Sequence, residues 1–230
     1  MKRWKIAAFV SLLLGIGAAP TEARSQTCGL ALVLSTDVSS SIDAGEYYLQ
    51  MNGLARAFRS QPLRDALLGL SNEPVVATVV QWSGYDHQTQ DVPWTRLDSE
   101  EAISRFAKAT ANVPRGFRNQ PTALAKGLEF SAKLLQGMPC RRQVIDLSGD
   151  GITNWGVEPS YFAERGVFDG ITINGLVIKG ATPDPEQYFR DSVAFGPGAF
   201  VIVAENYEAY PEAILEKLLR EIVPQYSMRD

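Results

Sequence analysis

The chain has 230 residues, 45% of them hydrophobic and 21% charged, and a formal net charge of −4. This length and composition predict a soluble globular protein with a substantial hydrophobic core. The acidic balance argues against phosphate backbones and anionic lipid as general partners.

Residues 1–23 have the pattern of a secretory signal peptide. Basic side chains lie between Met1 and Lys5, residues 6–19 are almost wholly apolar, and a small residue, Ala23, ends the segment. A membrane anchor is the weaker alternative, because the apolar run is shorter than the roughly 20 residues that span a bilayer. Removal of residues 1–23 changes the formal net charge from −4 to −6. The sequence therefore predicts a periplasmic or secreted protein with one domain over residues 28–230.

Strands and helices alternate through this domain. The predicted strands cover residues 30–36, 74–82, 89–94, 144–148, 171–178 and 199–203. One helix follows Asp43, whose spacing from Glu46 is typical of a capping box, and the others cover residues 98–111, 121–136, 160–169, 185–192 and 211–222. The second and third strands form a hairpin whose outer member contains Pro93, a residue type that is tolerated at a sheet edge. The pattern predicts an α/β fold: a doubly wound, mostly parallel six-stranded sheet with one antiparallel edge strand and helices on both faces.

Several polar side chains follow the first strand, where a single cap would be enough to end it. Asp37, Ser39 and Ser41 alternate along "DVSSS", so an extended backbone points all three to the same side. Asp150 follows the fourth strand, and chain direction brings Thr122 to the same edge, where ligands of such sheets bind. All five side chains present hard oxygen donors, which Mg²⁺ prefers. The sequence predicts a divalent-metal site at this edge.

The same residues resemble a known site. The pattern Asp37-x-Ser39-x-Ser41, followed by Thr122 and by Asp150, resembles the metal-ion-dependent adhesion site (MIDAS) of von Willebrand factor type A domains. The segments "DVSSSIDAGEYYLQ", "VVQWSG", "DLSGDGITN", "ITINGL" and "GPGAFV" are similar to a family of secreted bacterial proteins of unknown function. The resemblance covers essentially the whole mature chain.

This resemblance implies a role for each of the five residues. Ser39, Ser41 and Thr122 would contact the ion through hydroxyls, while Asp37 and Asp150 would act mainly through water or hydroxyl hydrogen bonds. Because hydroxyls are neutral, the ion (Mg²⁺, or Mn²⁺ or Ca²⁺) would keep charge that attracts an Asp or Glu carboxylate of a protein partner. The implied function is a metal-dependent binding module without catalytic activity. Many relatives have glycine before the threonine, where this chain has Pro121.

Other interpretations of these residues stay open. Taken alone, "DVSSS" is also typical of a loop with a helix N-cap, and the domain could be structural with an idle site. A metal-dependent hydrolase is a further alternative, although no obvious general base or second-metal cluster accompanies the five residues. Trp82 and Trp155 follow strands close to the predicted site, where they are either packing at the core edge or aromatic contacts on a partner-binding rim.

The remaining reactive residues have mainly structural interpretations. Cys28 and Cys140 would reach an oxidising compartment, where a disulfide is the default expectation. In type A domains the strands that follow them are neighbours, so the resemblance favours this pairing over two buried thiols. Asp146, inside the fourth strand, is interpreted as a structural carboxylate satisfied by donors of neighbouring loops. His87, the only histidine, gives poor support for a zinc site or for histidine-based catalysis.

Overall fold

A computed structural model of the chain describes residues 28–70 and 72–223. Its six strands are β1 (Cys28–Asp37), β2 (Val75–Trp82), β3 (Gln88–Arg96), β4 (Cys140–Gly149), β5 (Ile171–Ile178) and β6 (Val201–Ala204). They form one sheet in the order β3-β2-β1-β4-β5-β6. All neighbouring strands are parallel except β2 and β3. The predicted signal peptide at residues 1–23 lies outside the described residues.

The sheet confirms the predicted fold class. β1 is buried along its whole length, as expected for a central strand covered on both faces. β3 forms the antiparallel edge, and its Pro93 is exposed there, where the missing amide breaks no ladder. From β1 the chain builds outward through β2 to β3 and then returns to β4. The strand order therefore reverses between β1 and β4, and the edge at their carboxyl ends is the place where such sheets bind ligands.

Helices cover both faces of the sheet. They are α1 (Ala44–Arg59), α2 (Gln61–Gly69), α3 (Glu100–Ala111), α4 (Leu124–Leu135), α5 (Pro159–Ala163), α6 (Glu186–Tyr188), which continues as a π-helical turn at Phe189–Val193, and α7 (Tyr210–Ile222). α1 begins with the predicted capping box: Glu46 N donates to Asp43 Oδ1 at 2.8 Å, and Asp43 N donates to Glu46 Oε2 at 2.7 Å. Alternate residues of β1 point to opposite faces of the sheet and belong to two separate hydrophobic cores. Leu32 is in the core formed with α1, α2, α3 and α7, and Val33 is in the core formed with α4.

Two helices differ from the sequence prediction. α2 was not predicted; Ser60 is its N-cap residue and Pro62 lies in its first turn, where a missing amide leaves no intrahelical bond unmade. The helix predicted over residues 160–169 is wrong in length, because α5 ends at Ala163. Gly166 and Gly170 have positive φ angles of 71° and 77°, a backbone conformation that does not continue an α-helix.

Cys28 and Cys140 are joined by a disulfide, which confirms the predicted pairing. The two residues are direct partners at the amino ends of the parallel strands β1 and β4, with their Cα atoms 4.4 Å apart. Across the described ranges, no helix combines the length and the apolar character needed to cross a bilayer.

Asp146 in β4 has a partner that the sequence did not indicate. Lys217 of α7 places its Nζ 2.6 Å from Asp146 Oδ1 and 2.8 Å from Glu221 Oε1, and all three side chains are at most 2% exposed. The expectation that loop donors satisfy Asp146 is therefore wrong. Lys217 is thus the shared ion-pair partner of two buried carboxylates. Burial, followed by the charge of Asp146, raises the pKa of Glu221 to about 8.

Candidate metal centre

The metal donors predicted from the sequence come together at the carboxyl edge of the two central strands. Asp37 is the last residue of β1, and Asp150 directly follows β4. Ser39 and Ser41 lie in the loop between β1 and α1, and Thr122 lies just before α4. Three separate loops thus supply the five side chains.

Hydrogen bonds connect these five residues into one cluster. Thr122 Oγ1 donates to Ser39 Oγ at 3.1 Å, and the hydroxyls of Ser39 and Ser41 lie 3.3 Å apart. Ser41 Oγ donates to Asp150 Oδ1 at 2.8 Å. The backbone amide of Ser39 donates to Asp37 Oδ1 at 2.7 Å. Residues from positions 37 to 150 of the chain are therefore linked in one hydrogen-bonded network.

Asp37 has an unused acceptor in this cluster. The side chain is fully buried, yet its Oδ2 has no hydrogen-bond partner among the described residues. Burial, followed by the charge of Asp150, raises the pKa of Asp37 to about 8 despite the amide of Ser39. A Cβ added at Gly149 would lie 3.2 Å from this Oδ2, so the glycine keeps the space beside the carboxylate open. A buried carboxylate oxygen without a donor is what a cation, or water bound to it, would satisfy.

The serine loop is held in place by a residue that sequence reasoning missed. The Arg115 guanidinium donates to the carbonyl oxygens of Val38 and Ser39 at 3.0 and 2.8 Å, and Ser40 N donates to Gln120 O at 2.9 Å. Arg115 lies far from "DVSSS" in sequence, and no local pattern marks it. Its positive charge also lowers the pKa of Asp37, although burial outweighs this effect.

Thr122 is presented to the cluster despite the preceding Pro121. Its amide donates to Asn154 Oδ1 at 2.8 Å, and its carbonyl accepts from the amides of Asn154 and Trp155 at 3.0 and 3.2 Å. The loop after Asp150 therefore fixes the backbone of Thr122 from the other side. Asn154 is a second residue that sequence reasoning missed. Its polar side chain at the end of "DGITN", just after Asp150, was the signal that could have indicated a role at the site.

The two tryptophans assigned to the rim have different environments. Trp82 is fully buried, and its indole covers Gly127 of α4, where an added Cβ would lie 2.5 Å from the ring. Its assignment to a partner-binding rim is therefore wrong, and the packing alternative applies. Trp155 is 58% exposed beside the Thr122 loop, and Tyr85, which is 45% exposed, lies nearby against Gly156. Trp155 and Tyr85 therefore provide exposed aromatic surface next to the site.

The donor set fits a hard divalent cation. Three hydroxyls and two carboxylates converge, and all are oxygen donors of the kind that Mg²⁺, Mn²⁺ and Ca²⁺ take. In the part of the chain that the structure describes, no group of three or more His, Cys, Asp or Glu side chains is placed to hold a metal ion. An ion held here would therefore need the serine and threonine hydroxyls as well as the two carboxylates.

The strand order, the antiparallel edge and the loops at the switch point define a von Willebrand factor type A-like domain. The SpaC pilus adhesin of Lactobacillus rhamnosus GG aligns with 85% of this chain and 30% of its own, with 14% identity and a TM-score of 0.61. A von Willebrand factor type A structure from Catenulispora acidiphila aligns over 85% and 43% of the two chains, with 15% identity and a TM-score of 0.61. Proximal thread matrix protein 1 of the mussel byssus, with a zinc-occupied MIDAS motif, aligns over 86% and 47%, with 17% identity and a TM-score of 0.55.

These likenesses establish the fold, and the chain spans less than half of each of those proteins. The family is shown by the sequence itself. The family model described as "Protein of unknown function (DUF1194)" matches residues 27–226, and the chain belongs to this family. No match was found among curated proteins.

Proposed function

We propose that this protein is a binding module that holds a divalent cation and uses it to capture an acidic group of a protein partner. Ser39, Ser41 and Thr122 would hold the ion through their hydroxyls, and Asp37 and Asp150 would act mainly through bound water. The observation that carries the proposal is the hydrogen-bonded cluster of these five residues, in which the buried Oδ2 of Asp37 has no partner among the described residues. Mg²⁺ is the first candidate, and Mn²⁺ and Ca²⁺ have the same preference for oxygen.

Charge supports capture of a carboxylate. Three of the five donors are neutral hydroxyls, so they leave much of the charge of a divalent ion uncompensated, and an anionic group from outside would be drawn to an open position. The neighbours in fold give further support, since one is a pilus adhesin and another has a zinc-occupied MIDAS motif.

The proposal includes no catalytic step. A metal-dependent hydrolase needs a group that takes a proton from the attacking water. Within residues 28–70 and 72–223, no hydrogen bond joins the side chain of His87 to any of the five donors. Turnover of a phosphate or glycosidic substrate that is lost in Asp37→Ala would contradict this part of the proposal.

We further propose that the protein acts in the periplasm or outside the cell. The Cys28–Cys140 disulfide supports this location, because such bonds persist in oxidising compartments. The expected result is an intact mass that corresponds to a chain beginning at Arg24 when the protein is recovered from the periplasm or medium. Recovery of the full-length chain from the cytoplasm would contradict it.

Calorimetric titration of Mg²⁺ and Mn²⁺ into the metal-stripped protein tests the metal site, with Ser39→Ala and Ser40→Ala as matched variants. Ser39 is fully buried inside the cluster, while Ser40, the next residue of the same loop, is exposed. We expect one saturable site whose affinity falls at least about tenfold in Ser39→Ala, since even residues outside the coordination shell commonly contribute ten- to a hundredfold. Ser40→Ala should bind as the unmodified protein does. Absence of saturable binding, or an equal loss in both variants, would contradict the proposal.

A further inference from the structure

A groove opens beside the candidate metal centre, and Ser41 and Asp150 are among its lining residues. It has a volume of about 550 Å³ and lies between the β1–α1 loop, the end of β5 and the β6–α7 loop. Ser41 and Asp150 form the wall that it shares with the metal cluster. A group bound to the ion from this side would therefore have the rest of its chain in the groove.

Tyr207 in the β6–α7 loop also lines this groove. Its side chain is only 6% exposed, and its hydroxyl makes no hydrogen bond of normal geometry to any described residue. Burial, followed by the charges of Asp150 and Asp37, raises the pKa of this phenol, which lies next to the Asp150 carboxylate. A buried phenol without a partner is uncommon, because polar groups are normally paired when they leave water. Tyr207 thus places a buried hydroxyl beside Asp150, where the groove adjoins the metal cluster.

The rest of the groove has mainly negative charge. Asp43, Glu46 and Glu208 line it. Lys179 is its one cationic lining residue and is already occupied by ion pairs with three carboxylates. A polyacidic ligand would be repelled by this lining, whereas a ligand with a single acidic group next to a basic side chain would complement it.

We propose that the groove binds a peptide segment in which an acidic residue has a basic residue next to it. One oxygen of the acidic side chain would reach the ion, Tyr207 would donate a hydrogen bond to the other oxygen, and Glu46 and Glu208 would attract the basic side chain. This inference depends on the proposed metal-dependent capture and names the class of its ligand. Tyr207 is thereby a specificity-determining residue that the sequence pattern of the metal site does not include.

NMR titration of the Mg²⁺-saturated protein with two synthetic peptides tests the inference. The peptides are acetyl-Gly-Asp-Lys-Gly-amide and acetyl-Gly-Asp-Glu-Gly-amide, and the variants are Tyr207→Phe and, as a matched control, Tyr210→Phe, which removes another buried phenol hydroxyl. We expect the lysine peptide to bind more tightly. Tyr207→Phe should lower the affinity for both peptides about tenfold or more, the usual effect of losing a hydrogen bond to a charged group, and should leave the affinity for Mg²⁺ unchanged. Tyr210→Phe should bind both peptides as the unmodified protein does. The double variant Glu46→Gln, Glu208→Gln should abolish the preference between the peptides.

The outcomes separate this inference from the proposed function. If the unmodified protein fails to bind Mg²⁺, the proposed function itself is overturned. If Mg²⁺ binds and the peptides bind equally well to the unmodified protein and to Tyr207→Phe, only the inference is overturned. The inference is also overturned if Tyr207→Phe lowers the affinity for Mg²⁺ as much as it lowers the affinity for the peptides, because Tyr207 would then act on Asp150 and not on the ligand.

Discussion

Among the described residues, Lys217 is the only cation within ion-pair distance of the buried carboxylates of Asp146 and Glu221, and Lys217→Met removes it. Lys217 Nζ lies 2.6 Å from Asp146 and 2.8 Å from Glu221, and its side chain has no exposed surface. Methionine has a similar length and fills the space, so the loss of charge is the main change. The buried Asp146 and Glu221 would then have no counter-charge, and breaking a buried ion pair in this way typically costs about 3–5 kcal/mol of the free energy of unfolding.

Urea unfolding at pH 7 measures this loss, with Lys179→Met as the matched control. Lys179 also contacts carboxylates, at 3.2 to 3.9 Å, but its side chain is 27% exposed. Exposed ion pairs contribute little, so the control should unfold at nearly the same urea concentration as the unmodified protein. Adding Asp146→Asn to Lys217→Met should recover part of the loss, because the unpaired charge is then absent. Equal midpoints for Lys217→Met and Lys179→Met would refute the reasoning.

Two more predictions concern stability. Burial raises the folded-state pKa of Glu221 from the ordinary value of 4.5 to about 8. Between these pH values the folded protein keeps a proton on Glu221 that the unfolded chain has lost. The free energy of unfolding should therefore fall as pH rises from about 4.5 to 8. Thermal unfolding across this range should show a weaker pH dependence in Glu221→Gln and an unchanged one in the exposed Glu216→Gln; parallel curves for all three would contradict the assignment. The disulfide closes a loop of 112 residues, so the double variant Cys28→Ser, Cys140→Ser should lose about 3–5 kcal/mol in urea unfolding. An unchanged midpoint would show that the bond does not constrain the unfolded chain.

The sheet could be predicted because its signals are local. β1 is a continuous apolar run, and such runs alternate with helical patterns along the chain, which indicates parallel strands with helices on both faces. The places where prediction failed have weaker local signals. α2 follows α1 after the single residue Ser60, and Pro62 so close to a helix end suggests a break although it lies in the first turn of a new helix.

Side-chain partners far apart in sequence could not be predicted in the same way. Asp146 was correctly interpreted as structural, but its partner Lys217 is on the last helix, and nothing near either residue indicates the pairing. Trp82 was placed on the rim because it ends a strand. Only the packing of α4, whose Gly127 leaves room for the indole, shows that it is buried. Tyr207 belongs to a loop whose approach to Asp150 depends on the whole fold.

The register between β1 and β4 determines both the disulfide and the position of the proposed ion. The pairing that joins Cys28 to Cys140 continues to Thr36 and Ser148, so Asp37 lies beside Gly149 and Asp150 comes one residue later. A shift of one residue would turn every side chain of one strand to the opposite face. The disulfide lies at one end of this strand pair and contacts none of the metal donors. A divalent ion at the other end would link the same two strands, so that a covalent bond and an ionic site would together fix the scaffold that presents the groove.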